Sequence, residues 1–470
     1  MKQNIKLSLV ISGVPGYFKL RSKHDDLFRL TAISLRNCLD YIENKLPGNV
    51  ELHGLYNAYT EETMVRRASG EAINTPFTSI FPKGMHADSG GLQMVTLGKG
   101  SIEKEDRLKI YKTQALYSHY AMSFDEIPSV IKGDTRYYLP DLVEQKGIES
   151  GYNLKEQYDF FDTMDTKCKI IPIAQGWGID DTNKFAKGLF SQLSKEQLEK
   201  VDVIATGFPI SSTYATAKRV YDLFKVEEIP DKAKRHVHLL GVTGFKRLIP
   251  ALELIKNGFT PQLEVLSFDS VTLSMSYVMG GNVPSVQNFL DGKSKLKLGK
   301  KRTPETDAYW QEIYDFWKDD PNFPFDDLED MIQHSYYNET KVEGQDKPLN
   351  LSSGYQQYEY YLKADKDGNY TKENKEIADF HFAKVLKQEQ YYILYQVHNY
   401  VQILEAFLED KIKLEHIFDG KDLVLFRALE NVKTDEEFED WFEYVKKVTG
   451  FSLPTLRGDY DQEHASQILF

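Results

Sequence analysis

Cysteine is nearly absent from this chain of 470 residues: only Cys38 and Cys168 occur. Two thiols cannot build a disulfide framework, nor a zinc site that needs three or four thiolates. Positive charge is also in short supply. Fifty-eight Lys and Arg face 71 Asp and Glu, a formal charge of −13, which excludes a protein that grips polyanions with its whole surface. No apolar run approaches the length of a membrane span. The apolar stretch Leu7 to Ile11 is too brief for the core of a secretory leader and has no small-residue cleavage pattern after it. There is no internal repeat and no low-complexity tract. The expectation is an acidic globular protein of a reducing, cytoplasmic compartment with no membrane partner.

What is present is apolar residue in quantity, 41%, and an unusual abundance of Tyr (29) and Phe (27). Eight short β-rich runs punctuate the first 270 residues: 5–12, 50–56, 84–88, 120–125, 170–175, 201–206, 236–242 and 263–269. Helical patterns lie between most of them, at 103–119, at 193–200 behind a cap-like Ser191, and at 244–258, closed by Gly258. Alternation of this kind predicts parallel β/α units, and eight of them predict a TIM-type (β/α)₈ barrel; an open doubly wound sheet is the alternative.

The texture changes near residue 285. The tract KSKLKLGKKR, 293–302, carries six positive charges and no acid, and residues 303–345 are acidic and aromatic. A polar, turn-rich stretch follows at 345–376. A periodic helix then places Leu394, Val397, Val401, Leu404 and Leu408 on one face. The predicted organisation is a catalytic barrel over 1–285, an inserted segment over 286–385 and C-terminal helices over 386–470, the first of them packing on the barrel.

In such barrels chemistry gathers at the C-terminal ends of the strands. Here the third run ends in Asp88-Ser-Gly-Gly-Leu-Gln93, the fourth in Asp125-Glu126, the fifth in Gln175-Gly176 and the eighth in Asp269-Ser270, while the sixth runs into Gly207-Phe208. One strand-end Asp is ordinarily a helix cap. Three at one rim form a set of carboxylates that would shift one another's pKa values, as acid/base and nucleophile pairs do. Glycines beside them leave room for a flat ligand. Guanine suits such a slot, because its N1–H and N2–H donors pair with a carboxylate and its O6 with an amide or backbone N–H.

The segment from Asp88 to Gln93 resembles the DSGG-[FY]-Q signature of the tRNA-guanine transglycosylases. The other segments follow in the family's order. Phe124-Asp125-Glu126 resembles its FDE, Ala174-Gln175-Gly176 its VQGG, and Thr206-Gly207-Phe208 its glycine-rich GGL loop. Leu240-Gly241-Val242 resembles its LMGVG strand, and Phe268-Asp269-Ser270 the MFDCV strand that bears the nucleophile. Val397-His398-Asn399 resembles its late IHN helix, so the likeness spans roughly 84–410.

The resemblance implies that Asp269 is the nucleophile, attacking C1′ of a nucleotide to give a covalent glycosyl-enzyme, and that Asp88 is the general acid/base. It implies a base site of Ser89, Asp125, Gln175, Gly207 and Phe208, with Leu92 where the family has an aromatic cover.

Two departures bear on the substrate. The family's zinc needs CxCxxC, and no cysteine follows Cys168, so no metal or other cofactor is expected and His398 becomes a structural histidine. The interval from Asp88 to Asp125, 37 residues, is too short for the β-hairpin insertion of the tRNA enzymes. Both departures resemble the branch, found in phages and in bacterial modification clusters, that inserts 7-deazaguanine bases such as preQ0 into DNA.

The expected activity is therefore exchange of guanine in DNA for a 7-deazaguanine. A tRNA-guanine transglycosylase, or a glycosylase that releases guanine to water, is the alternative. A phage protein would act in the host cytoplasm. Lys293, Lys295, Lys297, Lys300, Lys301 and Arg302 are the expected polymer contact, with a solvated loop as the competing reading. Retention of both Asp88 and Asp269 argues against a degenerate scaffold, and a homo-oligomer is compatible with the chain. His86 reads as a packing residue, Cys38 as a small core residue, and the 305–345 segment as a packed helical layer.

Overall fold

The structure is a computed structural model. It describes residues 5–18, 25–62, 65–66, 77–91, 102–207, 212–242, 244–270, 273, 282–292, 302–334, 354–366 and 368–457. Eleven strands are described: β1 Lys6–Ser12, β2 Val50–Asn57, β3 Met85–Asp88, β4 Tyr120–Met122, β5 Ser129–Lys132, β6 Thr135–Tyr138, β7 Lys169–Ile171, β8 Ile173–Ala174, β9 Ile204–Thr206, β10 His236–Leu239 and β11 Val265–Ser270. Nine form one parallel sheet in the order β7-β4-β3-β2-β1-β11-β10-β9-β8.

Its two edge strands are neighbours in the chain, parted only by Pro172. Proline has no N–H to give to β9, so the ladder is interrupted there, yet its carbonyl still accepts from Ala205 N at 2.8 Å. Ile171 meanwhile pairs on the β4 side and Ile173 on the β9 side. The sheet thus bends round into a nearly closed, barrel-like α/β architecture.

All eight β-rich runs of the sequence become strands of this sheet. They are buried on both faces, which explains their near-continuous apolar character. Leu7, Leu9 and Ile11 of β1 join the large core shared with the outer helices, whereas Val10, Leu55, Met122, Ile171, Ile173, Val203 and Ala205 form a separate cluster inside the sheet. The helix Lys104–Tyr117 falls within the predicted 103–119. Phe245–Lys256 ends as expected, with Gly258 at φ +85° and its N–H on Ile255 O.

Ser191 is not the cap it was predicted to be. It ends the helix Gly178–Ser191, and the next helix, Lys195–Lys200, is capped by Ser194 through a reciprocal box with Gln197. Strand four stops at Met122, so Asp125 lies beyond the ladder rather than in it. The antiparallel pair β5–β6 was not foreseen; it is only four residues per strand and follows Asp125 rather than preceding it.

The helix Lys372–Leu408 runs unbroken through the predicted boundary at 385/386. It packs on the helix Asp25–Glu43 through Ser34 Oγ donating to Gln390 Oε1 at 2.6 Å, and on Pro304–Trp317 through Trp317 Nε1 donating to Tyr391 O at 3.0 Å. Tyr309, Trp310, Ile313 and Trp317 are buried there, so residues 304–317 of the aromatic-acidic segment are a packed layer. Cys38 is buried in the same seam, its thiol pushed up to about 11 by burial, and Cys168 is pushed up to about 12 for the same reason. Among the described residues no helix is long and apolar enough to cross a membrane.

Candidate active site

The C-terminal ends of the strands open into a cavity of about 650 Å³. Asp88, Asp125, Gln175, Gly207 and Asp269, drawn from five separate parts of the chain, all line it. Ser89 lies just beneath, buried, its hydroxyl donating to Ser123 O at 3.1 Å. Leu92, Phe208 and the lysines 293, 295, 297, 300 and 301 lie outside the described residues. Arg302 is exposed, and its charge is already answered within the protein by Asp307 at 2.7 Å and Glu329 at 2.8 Å.

Asp269, the penultimate residue of β11, accepts hydrogen bonds from two sides and has an imidazole close on a third. Gly241 N donates to Oδ1, Ser12 Oγ donates to Oδ2 at 3.1 Å, and His238 Nε2 stands 3.7 Å from Oδ1. The parallel register places Val10 opposite Asp269, which brings Ser12 at the end of β1 over the carboxylate.

Asp88 sits opposite Asn57 in the β2–β3 register, and Asn57 Nδ2 donates to its Oδ2 at 3.0 Å. Burial raises the Asp88 pKa, the Gly90 N–H pulls the other way, and the nearby charge of Asp269 raises it further. A carboxyl with a raised pKa close to a second carboxylate suits the division of labour between an acid and a nucleophile.

Asp125 is buried and pushed up to about 7, chiefly by burial. Gln175 Nε2 donates to its Oδ2 at 2.6 Å, which opposes that shift, and the Asp88 charge adds to it. Glycines approach the pair closely on both flanks. A Cβ at Gly207 would lie 2.6 Å from Gln175 Nε2, and one at Gly91 3.0 Å from Asp125 Oδ1. The result is a narrow slot with a carboxylate and an amide side by side.

Several lining residues escaped the sequence reading. Asp134, Thr135 and Arg136 come from the turn and start of the β5–β6 pair, and Pro454 arrives from the far end of the chain. Residues 454–456 run alongside β6, with Tyr138 N donating to Pro454 O at 2.8 Å and Leu456 N to Tyr138 O at 3.0 Å. Arg247, near the start of Phe245–Lys256, donates to Gly241 O at 2.8 Å and feels the charge of Asp269. Ser12 and Asn57 could have been found, because they too are polar residues ending apolar strands. The arginines could not, since nothing local separates them from surface arginines.

His398 does not fit the family's metal site. Its ring packs on Phe316 at 4.6 Å, and Nδ1 lies 3.4 Å from Asn399 Oδ1, with no cysteine at hand. Among the described residues no group of three or more His, Cys, Asp or Glu is placed to hold a metal ion. No protein-family model matches this chain, and no curated protein matches it in sequence.

Proposed function

We propose that the protein is a base-exchange transglycosylase of (β/α)₈-barrel type, exchanging guanine in DNA for a 7-deazaguanine such as preQ0. Taken as one strand bent at Pro172, β7 and β8 bring the parallel strands to the eight that such a barrel requires. The observation that carries the activity is the meeting of Asp88, Asp125, Gln175 and Asp269 around a single cavity, the same residues that the motif resemblance singles out.

In this reading an Asp269 oxygen attacks C1′ of the flipped nucleotide, forming a C1′–O bond as the C1′–N9 bond breaks. Asp88, which holds its proton beyond the usual carboxylate range, delivers it to the departing guanine. The incoming base enters the same slot and gives its N9 proton to Asp88. Its N9 then attacks C1′ and frees Asp269, so atoms and charge balance over the cycle. Asp125 and Gln175 read the purine edge, the deprotonated carboxylate accepting N1–H and N2–H. Extruding a base costs a few kcal/mol, which contacts to the backbone offset. The five lysines of 293–301 are the segment of this acidic chain best suited to that, Arg302 being paired within the protein, and binding should weaken steeply with salt.

The deciding experiment incubates the protein with labelled guanine or preQ0 and duplex DNA, single-stranded DNA or tRNA. Incorporation into DNA alone is expected. Incorporation into tRNA alone would replace the polymer, and guanine release without incorporation would make the protein a hydrolase.

A further inference from the structure

Barrel interiors are ordinarily filled by branched aliphatic side chains in layers. Part of this one is not. Below the cavity, His53 of β2, His86 of β3 and His236 and His238 of β10 are gathered in the bore with Ser267 of β11 and Tyr120 of β4. His53 Nδ1 is 3.0 Å from His86 Nε2, the His86 ring stacks on Tyr120 at 4.7 Å, and the His86 and His238 rings lie 5.5 Å apart. His53, His86 and His238 are buried completely or nearly so.

His238 is the member that reaches the site. The β10–β11 register sets it opposite Ser267, whose Oγ is 2.9 Å from His238 Nδ1 and 3.0 Å from His236 Nε2. Its other nitrogen, Nε2, is buried without a hydrogen bond among the described residues and stands 3.7 Å from Asp269 Oδ1. A buried imidazole nitrogen left without a partner is costly, and two tautomers are open to it. With the proton on Nδ1, the bare lone pair of Nε2 would face a carboxylate. With the proton on Nε2, Nδ1 accepts from the Ser267 hydroxyl, and the Ser267 oxygen in turn accepts from His236 Nε2–H. Ser267 Oγ also lies 3.4 Å from Val237 O, so its hydroxyl has an acceptor in either arrangement, but only the second directs an N–H rather than a lone pair at Asp269.

We propose that His238 is a positioning residue for Asp269: the His236–Ser267 relay fixes its tautomer, and its Nε2–H, together with Gly241 N–H, secures Oδ1 so that Oδ2 is presented to C1′. The inference rests on the reading of Asp269 as the nucleophile. Among the described residues Oδ2 keeps only the Ser12 hydroxyl, a partner that can rotate away.

Two measurements on the full chain test it. The first needs no substrate: ¹⁵N NMR of the histidine side chains, with His238 assigned by its loss in His238→Gln. An Nε2–H tautomer that shifts in Asp269→Asn is expected. An Nδ1–H tautomer, or indifference to Asp269→Asn, overturns the proposal.

The second follows the exchange reaction. Ser267→Ala removes one oxygen and little volume; it should lower kcat about 10-fold or more and leave KM for the incoming base unchanged. His238→Gln, which keeps an N–H near the Nε2 position, should recover much of the activity that His238→Leu loses. Full kcat in Ser267→Ala overturns the proposal. Absence of exchange in the wild-type protein instead overturns the transglycosylase reading, and the spectrum then decides the His238–Asp269 contact alone.

Discussion

The two ends of the barrel-like sheet treat a carboxylate in opposite ways. At the C-terminal end Asp125 is buried against an uncharged amide and pushed up to about 7. At the N-terminal end Glu51 stands between His53, at 3.4 Å, and Lys6, at 2.6 Å, and is brought down to about 2, first by the His53 hydrogen bond. The chemical group is the same, and what differs is the company. A carboxylate answered by cations and donors is fixed in one protonation state and ties strands together. A carboxylate whose desolvation outweighs the charges near it, as at Asp125 with Arg136 across the same cavity, is poised to change its proton when a ligand arrives.

The contrast can be broken most violently at the rim. Asp269→Ala should abolish the covalent adduct on nucleic acid and lower exchange by about 10⁴-fold or more, read by denaturing gel and label incorporation. A persisting adduct would remove Asp269 from the nucleophile's role.

Asp125→Asn is the next step down and should weaken guanine binding by about 10- to 100-fold, measured by calorimetry. Its pH dependence sharpens the point. Guanine's donors require the carboxylate, so wild-type affinity should rise as pH rises through about 7 and then level off. The unliganded protein should behave in reverse. Folding lifts this pKa from 3.8 to about 7, so the folded state holds the proton more tightly than the unfolded one. Between those values stability should fall as pH rises, and denaturant midpoints of Asp125→Asn should show less of that fall. Identical midpoint profiles would deny Asp125 its raised pKa.

The smallest effect belongs to the other end. Glu51→Gln should cost about 1 kcal/mol or less, because the Lys6–Glu51 pair is partly exposed, and should leave exchange unaltered. Here the folded pKa lies below the ordinary 4.5, so the contribution is present at neutral pH and fades as pH falls towards about 2. An exchange defect in Glu51→Gln would erase the distinction between lock and site.

Much of this was legible in the chain. Eight apolar runs became strands because burial on both faces leaves a continuous apolar record, and strand ends at one rim named Asp88, Asp125, Gln175 and Asp269 together. What escaped depends on register and on distance along the chain. His238 reaches Asp269 only because β10 and β11 pair as they do. The β5–β6 strands are too short and too polar to read as strands, and the approach of Pro454 to Tyr138 joins segments more than 300 residues apart.

That last contact has a consequence for synthesis. Pro454 walls the cavity and residues 454–456 run beside β6, yet they follow every strand of the sheet in chain order. A nascent chain can assemble the sheet and its acidic rim while this wall is still unmade. The finished slot therefore arrives late, once the C-terminal segment has docked. A truncation before Pro454 should fold its barrel and still present a breached pocket.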